Sequence, residues 1–553
     1  MRVLLLAFGL VFGSTVLADT DSRLAATAKV IEKVLASSPK PGLIIGISDR
    51  HSLRKVIVHG YADLKTRTPL TADSRLAIGS ISKGFTSVAL LQLADEQRFD
   101  VHAPITRYLP WLDIHSRFAA VTGHDLMSHT AGLPYYLTDS ASSRFAGLAL
   151  KEFEPTYAPG AHWQYSNTGY QLLGYALENI EGTRYSQVIQ RRVLEPLGMS
   201  SSSSIIDDAE RARMTTSYAR WPYDGKYVEA PWFEYTAADG SIVSTVADMG
   251  AYTRFILNRG VGPNGRVLSE RAFAAFTTPV LDDYGYGLWI RQESGHTVIS
   301  HGGGIAGFRS HIEAHMDEGF ALVFLSNGGI GEPLRKWVTE SVAAAFADRA
   351  APAPMAPERD PLMANLGEYA GSYGRAGQSA ASPSANMQFA VVKGTLVLKG
   401  AGADKPLQRI GIDAFRIAGE SDDFQAYIFT RAAGKADSKV VQVSHGADWY
   451  VTEEFADPVT SSTQDYSAFV GHYVYPGPEG PVGRIFVRSG ELVGVFAWDE
   501  QLFSEKFVPL GSGDFRMGQE EYSPERARFD GVLDGHAQRL IISGVPLYRR
   551  ETQ

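Results

Sequence analysis

Short apolar runs bounded by polar turns mark the first large region of the chain. Leu43-Ile44-Ile45-Gly46-Ile47 and Lys55-Val56-Ile57-Val58 predict two paired antiparallel strands. The pattern returns near residue 300, where 297–300, 308–315 and 320–326 predict a meander. Residues 333–347 then carry Trp337, Val338, Val342 and Phe346 at helical spacing, which predicts a helix. Strands from both ends of the region in one antiparallel sheet, with a helical insert between them, give an α+β layout. A site would lie between sheet and helices.

The pattern changes after a segment holding Pro352, Pro354, Pro357 and Pro361, which reads as a semi-rigid spacer. Beyond it come short alternating runs broken by Gly and Asp, and they repeat. Tyr369-Ala370-Gly371-Ser372-Tyr373 matches Phe469-Val470-Gly471-His472-Tyr473. The segment 392–397 resembles 488–493, and 413–417 resembles 514–517. Phe429 answers Phe529, and Lys439-Val440-Val441 answers Arg539-Leu540-Ile541. A recurring offset of about 100 residues predicts two copies of one β module, each sized for a small antiparallel barrel. The expected organisation is an export signal over 1–18, an α+β domain over 19–350, a linker over 351–361, and barrels over 362–460 and 461–553.

Composition narrows the chemistry. At 553 residues and 44% hydrophobic content, the chain can bury several cores without staples. It has no cysteine, which excludes thiol catalysis, disulfides and cysteine-ligated zinc. A formal net charge of −9 and the lack of a Lys/Arg run argue against nucleic-acid binding. The fourteen histidines show no close metal-ligand spacing, so neither a metal nor another cofactor is expected. Arg2, an apolar stretch over 3–12 and Val16-Leu17-Ala18 read as a secretory signal cleaved after Ala18. No later segment is long and apolar enough to span a membrane. The expected address is periplasmic or secreted; the sequence leaves the oligomeric state open.

Candidate chemistry centres on Ser80-Ile81-Ser82-Lys83. A strand-like run, Leu76-Ala77-Ile78-Gly79, precedes it, and an amphipathic helix is expected after it. Residues three apart share a helix face, so the serine hydroxyl and the lysine amine can meet. A desolvated lysine can take the proton that makes serine a nucleophile. Ser37-Ser38-Pro39-Lys40 and Ser52-Leu53-Arg54-Lys55 have the same spacing. The first has no strand before it, and the second reads as a hairpin connection. Only Ser80 has the strand–turn–helix context.

Two further clusters bear on the site. Tyr165-Ser166-Asn167 is the one Tyr-x-Asn in the chain and precedes a helical run over 171–180. A phenol can relay a proton and a carboxamide can hold an amide; equally, Tyr165 could be a core aromatic and Asn167 a helix cap. A strand ending in His301-Gly302-Gly303-Gly304 would expose backbone N–H groups suited to an oxyanion, or could be a plain glycine-rich hairpin.

Together and in this order, the three clusters resemble the serine β-lactamase and penicillin-binding protein superfamily, in its class C-like branch with DD-peptidases, D-aminopeptidases and related esterases. The resemblance covers about residues 25–348. The segments 125–134 and 240–249 look like framework signatures of that branch. It implies an acyl-accepting Ser80, with Lys83 as its base and Tyr165 as proton shuttle. Asn167, His301 and Gly303 would bind substrate, and the N–H groups of Ser80 and Gly304 would form the oxyanion hole. His301 stands where class C β-lactamases usually carry lysine. An unperturbed histidine is mostly neutral at pH 7, so it supplies no fixed cation for a drug carboxylate.

The resemblance therefore implies hydrolysis of a small peptide or amide, beside D-residues, through an acyl-enzyme. A carboxylesterase or weak β-lactamase using the same serine is the alternative within enzymes. A non-catalytic penicillin-binding-like receptor for cell-wall fragments is the alternative of another class. In D-aminopeptidase relatives a barrel loop can shape specificity, and 477–483 is the candidate here.

Overall fold

The computed structural model describes residues 5–38, 40–137, 143–220, 227–232, 234–355, 365–375, 386–400, 402–411, 413–419, 426–431, 439–445, 448–453, 464–477, 482–488, 490–498, 501–518 and 520–550. The chain divides into two compact units. The first is Met1–Tyr135, Ser140–Tyr218 and Trp232–Glu358; the second is Tyr136–Asp139, Ala219–Pro231 and Arg359–Gln553.

The first unit is built on an antiparallel sheet. Its strands are β1 (Gly42–Asp49), β2 (Leu53–Asp63), β3 (Thr68–Pro69), β6 (Trp289–Glu293), β7 (His296–Ile305), β8 (Phe308–His315) and β9 (Phe320–Ser326). Two short strands outside it, β4 (Leu76–Ala77) and β5 (Val243–Ser244), pair with each other. Among the described residues the sheet order is β6-β7-β8-β9-β1-β2-β3. N- and C-terminal strands thus share one sheet, joined where Leu43 pairs with Ser326 and Asp49 with Phe320. The sequence pattern anticipated this joint and the meander.

Both faces of β1 are covered, which explains its continuous apolar run. Successive side chains alternate between faces. Leu43, Ile45 and Ile47 pack with Leu24, Ala28, Ile31 and Leu35 of α1 (Leu5–Leu35) and with Trp337, Val338 and Val342 of α5 (Glu332–Phe346). The first residues of α1 are those read above as the export signal. The other face receives α4 (Val246–Leu257). A Cβ on Gly46 would lie 2.5 Å from Val246 Cγ2, so only glycine lets α4 approach there. Among the described residues, no helix is long and apolar enough to cross a membrane.

The local expectations needed several corrections. Leu53, Arg54 and Lys55 lie inside β2, so the hairpin connection is shorter than expected. Strand pairing stops at Ala77, and Gly79–Ile81 forms a 3₁₀ turn before α2 (Ser82–Asp95). That helix is not amphipathic: every residue from Ser82 to Leu91 is buried, because other helices surround it. The strand β6 has a polar C-terminal half and gave no apolar run to read.

The second unit contains two closed eight-stranded barrels, with strands from Gly371–Arg375 to Asp448–Val451 and from Gly471–Val474 to Val545–Arg549. Their interiors are filled by aromatics, among them Tyr369, Phe389, Phe415 and Phe429 in one, and Phe496, Phe507, Phe515 and Phe529 in the other. The repeat extends to irregularities. Register slips between Arg409 and Gly411 in the first barrel and between Pro509 and Gly511 in the second. Tyr373 donates its hydroxyl proton to Tyr369 O, and Tyr473 donates to Phe469 O. Matching bulges and matching hydrogen bonds at one offset mark duplicated modules. The linker from 356 to 361, Pro39, and residues 478–481 of the candidate barrel loop lie outside the described residues.

Candidate active site

The turn that carries Ser80 is pinned from two sides. Ile78 N donates to Ile242 O at 2.9 Å, and Ser310 Oγ of β8 donates to Ile78 O at 2.7 Å. Gly79 then adopts φ +51°, and a Cβ there would lie 2.6 Å from Gly304 N. A Cβ on Gly303 would collide with Ile78 O. Glycine at 79 and 303 therefore lets β7 lie directly against the serine turn. The strand does not end at the glycines, as the sequence suggested, but runs on to Ile305. Its partner β6 stops pairing at Ser300, so among the described residues His301 to Gly304 pair as a strand with β8 only.

Ser80 is half-buried, whereas Lys83 has no exposed surface. Lys83 Nζ lies 3.0 Å from Ser80 Oγ, 2.6 Å from Asn167 Oδ1 and 2.8 Å from Asp239 O. It also sits 4.9 Å from the ring centre of Tyr165 and 5.6 Å from that of Tyr170. Burial pushes the amine down to about 7, opposed by the negative charge of Asp239. A sizeable neutral fraction at pH 7 is what a general base requires.

Tyr165 and Asn167 arrive at the start of α3 (Asn167–Glu181). The cap is Ser166, whose Oγ accepts from Gly169 N, so Asn167 is freed from capping and turns to Lys83. Tyr165 hydrogen-bonds the Ser80 side chain, and burial holds its phenol well above its ordinary value. At neutral pH it is therefore a neutral donor and relay rather than a phenolate.

His301 is buried and both ring nitrogens are engaged. Nδ1 donates to Gly302 O at 2.6 Å, which leaves Nε2 to accept from Tyr284 OH at 3.0 Å. Desolvation, with the nearby Lys83 charge, pushes this imidazole down to about 3, so it is neutral at pH 7.

Sequence reasoning missed two residues here. Asp239 is a buried carboxylate whose two oxygens lie 2.8 Å from the Tyr235 hydroxyl that donates to it. It directly precedes the 240–249 segment, but nothing in its spacing signals a role. His129, inside the 125–134 segment, adopts φ +61° and accepts at Nδ1 from Ser166 N at 3.1 Å. Its ring centre lies 4.2 Å from that of Tyr165. Desolvation holds it well below its ordinary value, hence neutral. Its odd backbone and its bond to the residue between Tyr165 and Asn167 are invisible to a linear reading.

The family described as Beta-lactamase matches residues 27–400. The chain belongs to this family. The match runs past residue 348, where the motif resemblance ended, into the first barrel. Penicillin-binding protein 4 of Amycolatopsis lactamdurans is 25% identical over 362 residues, covering 61% of this chain and 94% of the relative. D-aminopeptidase of Brucella anthropi is 26% identical over 298 residues, or 49% of this chain and 54% of that protein. A penicillin-binding protein of Bacillus subtilis (strain 168) is also 26% identical, matched over 64% of its length. The chain thus spans only about half to two thirds of two of these relatives. Among solved structures, the octameric penicillin-binding protein homologue from Pyrococcus abyssi superposes with a TM-score of 0.54 at 21% identity, over 78% of this chain and all of that one. The D-amino acid amidase from Ochrobactrum anthropi SV3 gives a TM-score of 0.50 at 23% identity, over 58% and 99%. These likenesses are to the fold. The Beta-lactamase family is one of serine hydrolases.

Proposed function

We propose that this serine hydrolase is a class C-like enzyme that cleaves peptide or amide bonds, beside D-residues, through an acyl-enzyme on Ser80. The observation that carries the reading is the contact of 3.0 Å between the half-buried Ser80 Oγ and the fully buried Lys83 Nζ. Neutral Lys83 takes the hydroxyl proton as Oγ attacks the carbonyl carbon. The developing oxyanion is received by the N–H groups of Ser80 and Gly304. Tyr165, bonded to Ser80, passes a proton to the leaving amine, and the same groups activate the water that releases the acyl group. Asn167 orients the substrate amide, and His301 and Gly303 shape the wall against which it lies.

Two facts favour amide over β-lactam substrates. The neutral His301 offers no cation to a drug carboxylate, and D-aminopeptidase is a relative by sequence. Export to the periplasm or the medium belongs to the same reading and rests on the signal-like start of the chain.

The test has two parts. A fluorescent phosphonate and intact-mass analysis should find one adduct, lost in Ser80→Ala. A panel of D- and L-aminoacyl anilides, a p-nitrophenyl ester and a chromogenic cephalosporin should show the D-anilides turned over fastest. No adduct at any pH would mean a binding protein instead of an enzyme. Faster cephalosporin or ester turnover would replace the peptidase reading.

A further inference from the structure

We infer that Asp239 is a positioning residue that sets the pH at which Lys83 becomes available as the base of the Ser80 reaction. The inference rests on the proposed roles of Ser80 and Lys83. Its geometric basis is a double attachment. The main-chain carbonyl of Asp239 accepts from Lys83 Nζ at 2.8 Å. Covalent geometry then keeps the carboxylate of the same residue within about 8 Å of the amine. Asp239 is 3% exposed, so little water screens the pair. Burial pushes the Asp239 carboxyl above its ordinary value, and this is opposed by the Lys83 charge, by the Tyr235 hydroxyl 2.8 Å from both oxygens and by the Gln171 side chain.

Among the described residues, the other titratable groups around Lys83 are neutral or paired elsewhere. The α3 segment presents Tyr165, Asn167 and Tyr170, and residues 185–189 present Tyr185; burial keeps these phenols protonated. Tyr252 of α4, which stacks on Phe85, is likewise a neutral phenol. His129 and, from β7, His301 are held neutral by the same desolvation. The 3₁₀ turn contributes Ser80. Arg271 and Arg192 reach only the far end of α2, where they pair with Asp95 and with Glu96 and Glu181. The burial of Lys83 lowers its proton affinity and Asp239 restores part of it, so the two opposing effects set the acid limb of the reaction. Asp239 is bonded to Lys83 through its main-chain carbonyl and acts through that residue.

Asp239→Asn tests this with little change in shape. It keeps the main-chain carbonyl and an oxygen for Tyr235, and it removes the charge. The rate of phosphonate labelling of Ser80 is measured from pH 5 to 9. With the anion gone, Lys83 loses its proton at lower pH, so the acid limb should move down by about one pH unit. Labelling at pH 6 should then be faster than in the unmodified protein. A purely structural loss would lower the rate at every pH and leave the limb in place, and that outcome, or an upward shift, overturns the inference. If Asp239→Asn fails to fold, Asp239→Ser, which also keeps the main-chain carbonyl and removes the charge, reads the same quantity: the limb should again move down, and an unmoved limb overturns the proposal. Absence of labelling in the unmodified protein would instead refute the serine-hydrolase reading of Ser80, which keeps the two failures apart.

Discussion

Lys83 Nζ stands closer to Asn167 Oδ1, at 2.6 Å, than to Ser80 Oγ, at 3.0 Å. Asn167 is therefore one of three acceptors that hold the amine in place. Asn167→Asp should expose this. A carboxylate at that position favours the ammonium form, which raises the Lys83 value above about 7 and removes base at neutral pH. Labelling of Ser80 at pH 7 should fall by about tenfold or more, as a shift of one unit or larger implies. It should recover as pH rises. A loss equal at pH 7 and pH 9 would contradict this account.

The phenol of Tyr165 is bonded to Ser80 and kept protonated by burial. Its removal in Tyr165→Phe leaves Lys83 able to activate Ser80 but deprives the leaving amine and the incoming water of their relay. Turnover of an anilide should drop by about 10²–10⁴-fold, the usual range for a positioned acid or base. Phosphonate labelling should suffer less, and intact-mass analysis should catch an acyl-enzyme during turnover. Undiminished turnover would remove Tyr165 from the reaction.

His301 is a neutral, fully engaged imidazole bonded to Tyr284 and to Gly302 O. His301→Lys would place an ammonium in that slot and leave the Tyr284 hydroxyl with a donor in place of its acceptor. The added cation near Lys83 also disfavours the protonated amine there. Amide turnover should fall, and kcat/KM for a carboxylate-bearing cephalosporin should rise relative to it, by about tenfold or more, given the strength of charge-assisted bonds. An unchanged ratio between the two substrates would show that this position does not set substrate class.

The sheet and the barrels were legible because a strand covered on both faces reads as a continuous apolar run and a half-covered barrel strand as an alternating one. Leu43 to Ile47 read as a strand, and the 100-residue offset read as duplication down to Tyr373 and Tyr473. The helix after Ser80 was misread for the complementary reason. A helix buried on every face has no polar stripe, so its sequence carries a weak period, and Ser82, Thr86 and Ser87 do not mark a solvent face. They are instead buried and bonded: Ser82 Oγ accepts from Ile242 N, and Thr86 Oγ1 donates to Ala238 O. The residue types of Ser80, Lys83, Tyr165 and Asn167 could be picked from motifs. Their convergence could not, because it depends on Ile78 being pinned by Ser310 and Ile242, which lie more than 150 residues away. Asp239 and His129 act through a backbone carbonyl and a bond to a main-chain N–H, neither of which leaves a pattern in sequence.

Gly79 offers a test of that convergence that touches no reacting group. Its φ of +51° costs a residue with a Cβ about 1 kcal/mol. The larger effect is steric, since a Cβ would lie 2.6 Å from Gly304 N, 2.8 Å from Gly304 O and 2.9 Å from Gly304 C. All three are backbone atoms that cannot rotate away, so β7 must retreat from the serine turn. Gly79→Ala should therefore separate the N–H of Gly304 from that of Ser80, the two donors proposed for the oxyanion. Thermal stability should fall by more than the roughly 2 °C that about 1 kcal/mol of backbone strain represents in a large chain. Acylation should fall far more, by about 10²-fold, the cost of misplacing a reacting geometry by about 1 Å. The acid limb of the labelling profile should stay where it is, because Lys83, Asn167 and Asp239 are not displaced. Retention of the full labelling rate in a folded Gly79→Ala protein would mean that Gly304 does not receive the oxyanion, and the hole would have to be sought on another strand.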